Sequence, residues 1–341
     1  MPADKKGQIV SQTSTEERGG LPSAVNAALT AIPEGARVRF AKFLIKVIGQ
    51  TLAPEAVRKL ADEMDTLSGR RIVAHKMAEA VAERLAQDRL EVERAIYRFW
   101  DREIPRQKNL QNIACKAAEE FALIADQSPP VDDVPDDWRR KFMDYAADVS
   151  EPEMQQVWAR ILTGEYRQPG SFSFRTLRLM SEMSAAVAEA FQRSVRFAFN
   201  SETLFAPTEV FSSGQGYSDI NLICDRGMTY ERADKTVLPV RRREPGYYVV
   251  MGEAHAAVLF SRTGTVELNL PIIQLTNSGK ELLPLVGARD ERPALQEVAN
   301  YMRRKLPTAS VGMIGPVHSR ADESIVIDRA EFLWGSALDL P

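Results

Sequence analysis

The chain has 341 residues, 44% of them hydrophobic, with a net charge of −3 at neutral pH, an ordinary balance for a globular protein of two or three folding units. With pI near 5.9 it has no overall attraction for nucleic acid or an anionic membrane, so either partner would need a local basic patch. The two cysteines, Cys115 and Cys224, sit far apart on segments that read as helix faces, which argues against a disulfide framework or thiolate metal site and predicts buried thiols in a reducing compartment.

Residues 1–20 are polar and lack the apolar core of a signal peptide, and no apolar run long enough to span a membrane follows, so a disordered tail on a cytoplasmic protein is expected. A helical region is predicted over 21–127. It opens with LPSAVNAALTAI and RVRFAKFLIKVIGQTLA, two helices parted by Pro-Glu-Gly. On the second, Phe40, Phe43, Leu44, Val47 and Ile48 form a broad apolar face opposite Arg39, Lys42 and Lys46, and no acid falls between Ala36 and Ala53. Such a basic amphipathic helix can lie on an anionic membrane surface, peripheral to the inner membrane. Packing against the protein's own core or a second subunit is favoured, because most such stripes are packing elements. From Pro54 to about Gln127 the chain reads as helix with breaks at Gly69 and Pro105. An apolar seam of Ile96, Phe99, Trp100 and Ile104 is expected to close a hairpin.

SPPVDDVPDD, residues 128–137, is a linker. Its aspartates have no nearby His or third carboxylate, so a helix cap at Asp136 or Asp137 is favoured over a metal site. A central domain, 132–200, follows. Ser150 and Glu153 have capping-box spacing, predicting a helix through Trp158, Ile161 and Leu162 that stops at Gly164. Pro169-Gly170 then fixes a turn, and Ser171 or Ser173 caps FRTLRLMSEM, with Leu177, Met180 and Met183 inward. The helix start beside Arg175 can attract an anion, but the glycines and lysine of a phosphate loop are missing.

After Asn200 the texture changes. YSDINLICDRGM reads as a helix ended by Gly227. MTYERADKTVLPV, GYYVVMGEAHAAVLF and TVELNLPIIQL read as strands, and LTNSGKELLPLV as a helix capped at Thr276. The segment 201–290 is therefore expected to be a winged-helix-like module. The extension 291–341 holds a helix, LQEVANYMRRKL, and an edge strand, ESIVIDRAEFLW. The expected fold is mainly α, with an N-terminal helical hairpin and long helices, a central helical corner and a C-terminal α+β winged-helix-like module.

No hydrolase or metal signature surrounds His75, His255 or His318, read as lying in a helix, a strand and a loop, so no catalytic residue, metal or cofactor is assigned. Arg241, Arg242 and Arg243, with Tyr247 and Tyr248 beside them, are placed at a hairpin tip, where a basic wing can contact phosphates. Against DNA binding, the candidate recognition helix carries Asp219 and Asp225 beside a single Arg226.

The stretch EMQQVWARILTGEYRQPGSFSFRTLRLMSEMS resembles the signature of an uncharacterised bacterial family known only as a domain of unknown function. That pattern, W-A-x-I-L-x-G-E followed by P-G-S-F-S-x-R-T-L, is matched here by Trp158, Gly164, Glu165, Pro169, Gly170, Ser171, Phe172, Ser173, Arg175, Thr176 and Leu177. The helix-corner-helix and following module also look distantly like the Abi-alpha group of abortive-infection proteins, a likeness that implies a role in bacterial defence against phage. Together these readings predict a non-enzymatic interaction protein acting through self-association or a protein partner, with no small-molecule substrate identified. The alternatives are a winged-helix DNA-binding regulator and a membrane-active effector.

Overall fold

A computed structural model describes residues 23–48, 89–124, 130 and 132–336, apart from short breaks at 231–235, 245, 262, 264–266, 288, 307–308, 322–323 and 328. The tail 1–20, Gly69 and His75 lie outside the described residues. The chain divides at the Pro169-Gly170 turn into two units, 1–170 and 171–341.

The described part of the first unit is helical: α1 (Ser23–Leu29), α2 (Glu34–Ile48), α3 (Arg89–Ala122), α4 (Asp136–Ala146) and α5 (Pro152–Arg167). The apolar face of α2 forms as its spacing predicts, and the unit's own core takes it up. Phe40, Phe43, Leu44 and Val47 are buried. Phe40 stacks on Phe121 with ring centroids 4.3 Å apart and meets Tyr166 edge-on at 4.7 Å. The Ile48 side chain lies outside the described residues. On the polar side, Lys46 pairs with Asp133 at 3.3 Å, an exposed contact of little energetic weight.

Helix α3 runs unbroken through Pro105, where the sequence predicts a break. The proline removes one backbone hydrogen bond, and the packing of the following turns outweighs that loss. Leu110, Ile113, Ala114, Ala117, Ala118 and Phe121 form a buried stripe at helical spacing. Its alanines let α5 approach closely enough for the Thr163 hydroxyl to donate to the Ala117 carbonyl at 3.2 Å. The predicted seam is not this one: Phe99 is 59% exposed, and Ile96, Trp100 and Ile104 are only half-buried.

Two caps differ from expectation. Helix α4 starts after Pro135, so Asp136 and Asp137 stand in its first turn rather than at the cap, each paired with Arg139 or Arg140 one turn on. Helix α5 begins at Pro152 with Glu151 before it, because proline's fixed φ and missing N–H suit a first helical position better than Ser150 suits a cap. It also continues past Gly164 to Arg167. Thr163, Glu165 and Tyr166 are buried around that glycine, and their packing exceeds the roughly 1 kcal/mol glycine penalty.

The second unit is α+β. Its elements are α6 (Phe174–Ser181), α7 (Ala185–Val195), β1 (Thr203–Phe205), α8 (Thr208–Phe211), α9 (Gly214–Asp225), β2 (Thr236–Arg241), β3 (Tyr247–Met251), β4 (His255–Ser261), β5 (Glu267–Gln274) and α10 (Asn277–Leu282), which runs into a 3-10 turn, Leu283–Val286. Helix α11 (Arg292–Lys305) and strands β6 (Ala309–Ala321), β7 (Ser324–Ile327) and β8 (Glu331–Trp334) complete it. One antiparallel sheet has the order β1-β5-β2. The other has the order β3-β4-β6-β7, with β8 also pairing β6. Leu295, Val298, Ala299 and Met302 of α11 pack with Tyr248, Val250, Leu259, Leu270 and Ile272 of the strands into one core.

Thr276 caps α10 as expected, its hydroxyl accepting from the Gly279 N–H at 3.2 Å. GYYVVMGEAHAAVLF is a hairpin of two strands rather than one strand, and ESIVIDRAEFLW likewise holds two. Strand β6 has no counterpart in the sequence reading, because Gly312, Gly315 and Pro316 are residues that normally interrupt a strand. A Cβ at Gly312 would lie 2.3 Å from the Trp334 ring, so here glycine admits a large neighbour. His318 consequently lies in β6, not in a loop.

The β3–β4 turn is held by a buried carboxylate. Glu291 accepts the backbone N–H groups of Glu253, Ala254 and His255 at 2.6, 2.7 and 2.6 Å, and its Oε1 lies 3.0 Å from His255 Nδ1. Burial pushes the Glu291 carboxyl up, but these donors outweigh it and hold the group below its ordinary value of 4.5. A depressed folded value means that the stabilisation is present above the ordinary glutamate range and is lost as pH falls through the folded value. Glu291→Gln is expected to cost about 2–3 kcal/mol at neutral pH, by losing a charge-assisted acceptor for three donors, and to flatten the acid limb of stability. Urea melts at a series of pH values check this. Parallel acid limbs for both forms would show that Glu291 is not the group involved.

Candidate functional site

The family-like corner is built from packing and backbone hydrogen bonds. Trp158 and Glu165 are fully buried on α5, and Phe172 is buried beyond the turn. Glu165 Oε1 accepts the Gly170 N–H at 2.7 Å, tying the end of α5 to the turn. Gly170 has φ +89°, which a side chain would strain, so the sequence needs glycine there. Ser173, rather than Ser171, caps α6 and accepts from the Thr176 N–H at 3.3 Å.

The α6 N-terminus already carries an anion. Glu281 of α10 accepts from Ser173 N–H at 2.7 Å and from Ser173 Oγ at 3.0 Å. The favourable position for negative charge at this helix start is therefore filled by the protein's own Glu281.

Arg175 instead faces a groove further along the same helix. A cavity of about 250 Å³ is lined by Arg175, Arg178, Leu179, Glu182, Met183, Val187, Arg226 and Met228, all within the second unit. Arg175, Arg178 and Leu179 share one face of α6 by their spacing of three and four residues. Arg226 reaches the groove because α9 stops there. Gly227 has φ +73°, the left-handed conformation that ends a helix, and a Cβ at this position would lie 2.8 Å from Arg175 Nη2. One glycine thus serves both the helix end and the seat of a guanidinium. Arg178 pairs with Glu182 at 3.3 Å, whereas neither Arg175 nor Arg226 has a side-chain acceptor among the described residues. The groove presents two uncommitted guanidinium groups over an aliphatic floor.

The other sequence-predicted groups are dispersed. Arg241 ends β2 and pairs with Glu267 at 3.4 Å, Arg242 turns back to donate to the Ser261 carbonyl at 3.3 Å, and Arg243 is exposed. Their turn connects β2 of one sheet to β3 of the other, and it is tight: Arg243 and Tyr247 pair antiparallel across it, the Arg243 N–H donating to the Tyr247 carbonyl at 2.8 Å and the Tyr247 N–H to the Arg243 carbonyl at 3.0 Å. Asp219 does not face solvent, as the sequence suggested. Arg193 grips it with two hydrogen bonds of 2.8 and 3.0 Å and holds its carboxyl below the usual carboxylate range, and Gln215 donates a third at 2.7 Å. Cys115 and Cys224 are free and half-buried rather than buried. No group of three or more metal-ligating side chains occurs among the described residues, and none of their helices is long and apolar enough to cross a membrane.

The sequence reading missed Glu281, Glu291 and the meeting of Arg226 with Arg175. Only the Arg175/Arg178 spacing and the Gly227 stop carried a signal for the last of these.

Fold and site together define a helical unit joined to an α+β unit that carries an arginine-lined groove. Residues 93–206, about a third of the chain, match the model of a family described as a protein of unknown function, DUF2806, and this span encloses the corner from Trp158 to Leu177. Comparison with curated proteins and with solved structures gives no match.

Proposed function

We propose that this is a non-enzymatic interaction protein that binds its partner through the Arg175/Arg226 groove and, as the likeness to abortive-infection proteins implies, serves in bacterial defence against phage. The observation that carries the reading is the pair of guanidinium groups lining a cavity with no acceptor among the described residues. Among the described residues, several groups suited to chemistry are engaged in holding the fold: Ser173 with Glu281, His255 with Glu291 and Asp219 with Arg193. An Arg175→Ala/Arg226→Ala variant, produced at wild-type level in a phage-challenged host, is expected to lose plaque protection and its co-purifying partner while remaining folded. Full protection by that variant would overturn the reading.

The winged-helix-like alternative has support of its own. From α7 to β5 the chain runs helix, strand, two helices and four strands; β1, β5 and β2 form one sheet in the order β1-β5-β2, and the β3–β4 hairpin, inserted between β2 and β5, joins the other sheet. The capture of Asp219 by Arg193 removes one acid from the surface of α9, the helix in the recognition position. If this module bound DNA, affinity would fall steeply with salt, and changing Arg241, Arg242 and Arg243 together to alanine would flatten that slope by at most about three units. Because the proposed partner site is the Arg175/Arg226 groove and not this turn, the expected result is no difference between the two forms in a duplex-binding titration over NaCl.

A further inference from the structure

We propose that the occupant of the Arg175/Arg226 groove is an acidic, aliphatic peptide segment of a partner protein, an inference that rests on the groove being the binding element. Charge comes first. Among the described residues, three arginines line the cavity against a single acid, Glu182, which pairs with Arg178, so the complementary group is an anion. Guanidinium groups bind carboxylate and phosphate alike through paired N–H donors, so the arginines alone do not choose between them.

The floor of the groove makes the choice. Leu179 and Met183 supply aliphatic and thioether surface, and Val187 and Met228 are buried beneath them. A nucleotide or single strand gains most from aromatic faces on which bases stack, and no aromatic side chain among the described residues lines this cavity. A solvated phosphodiester gains nothing from an apolar floor. The α6 N-terminus, which supplies backbone donors at phosphate sites, is closed by Glu281. An Asp or Glu within a few residues of Leu, Ile, Val or Met satisfies both halves of the groove: the carboxylate on Arg175 and Arg226, the aliphatic side chain against Leu179 and Met183. Methionine suits such a surface because its flexible thioether adapts to aliphatic groups of different shape.

The test is selection of a random-peptide display library on the full-length protein, followed by fluorescence anisotropy of labelled winners. Enrichment of peptides pairing an acid with an aliphatic residue is expected. Their affinity should fall at least about tenfold in Arg175→Ala/Arg226→Ala, the loss expected for removing charge-assisted donors. A Leu179→Asp variant should also lose binding, whereas removal of the exposed Arg243 should leave it unchanged. Circular dichroism melts verify that each variant is folded. Winners lacking acids, winners bound equally by the double variant, or duplex DNA bound in an Arg175/Arg226-dependent way while no acidic peptide is enriched would each overturn the proposal. The last of these outcomes, combined with lost plaque protection, would sink the peptide while sparing the groove. Retained protection would sink the groove itself.

Discussion

Replacing Trp158 with alanine is expected to destabilise the first unit by about 3–5 kcal/mol and to lower soluble yield along with any cellular activity. The ring is fully buried, and Phe142, itself fully buried and stacked on Trp138 at 5.2 Å, meets it edge-on with centroids 5.4 Å apart. Deleting it leaves a cavity in an interior made of rings and helix backbone that cannot collapse to fill it. Trp158→Phe separates packing from hydrogen bonding. Because Trp158 Nε1 has no acceptor among the described residues, phenylalanine forfeits no hydrogen bond seen here and should cost only about 1 kcal/mol. Urea unfolding followed by circular dichroism reads both values. A Trp158→Ala protein that melts with the wild type yet is inactive would mark the tryptophan as a binding residue rather than a core anchor.

Leu44→Asp is expected to cost about 5 kcal/mol, a large share of the total stability of an ordinary domain. Two losses combine: the burial of a side chain with no exposed surface, and the placement of a carboxylate beside the cluster of Phe40, Phe43, Phe121 and Tyr166 without a partner. The loss should appear in a thermal melt with no lipid present, and wild-type protein should stay at the bottom of a flotation gradient with anionic vesicles. A Leu44→Asp form that keeps its melting temperature, paired with a wild type that floats, would transfer α2 to the membrane-effector reading.

The basic amphipathic helix shows how far a one-dimensional pattern reaches. Its apolar stripe was legible because a helix repeats every 3.6 residues. What covers it was not, since Phe121 and Tyr166 lie 81 and 126 positions beyond Phe40. Caps were legible where a hydroxyl decided them, at Ser173 and Thr276. They were misplaced where proline at the first helical position competed, at Pro152. Pro105 and Gly164 read as breaks because local propensity disfavours them in helices, and burial of the neighbouring turns overrides it. Strand β6 was hidden by its glycines and proline, of which Gly312 makes sense only against the Trp334 ring.

Local chemistry along the chain was enough to place several features: the helical character of the described part of the first unit, the Pro169-Gly170 corner, the change to α+β after Asn200 and Gly227 as a helix end. These depend on contacts or conformations within a few residues, which hydrophobic period, cap chemistry and glycine's tolerance of positive φ encode directly. Only the tertiary structure decided which charges are available for binding. Asp219 and Glu281 read as surface acids until Arg193 and Ser173 are seen to hold them, and Arg175 and Arg226, 51 positions apart in the chain, become one groove only when α9 ends beside α6. The reason is physical: a side chain's effective charge depends on what lies within a few ångströms of it, and chain order does not fix that distance.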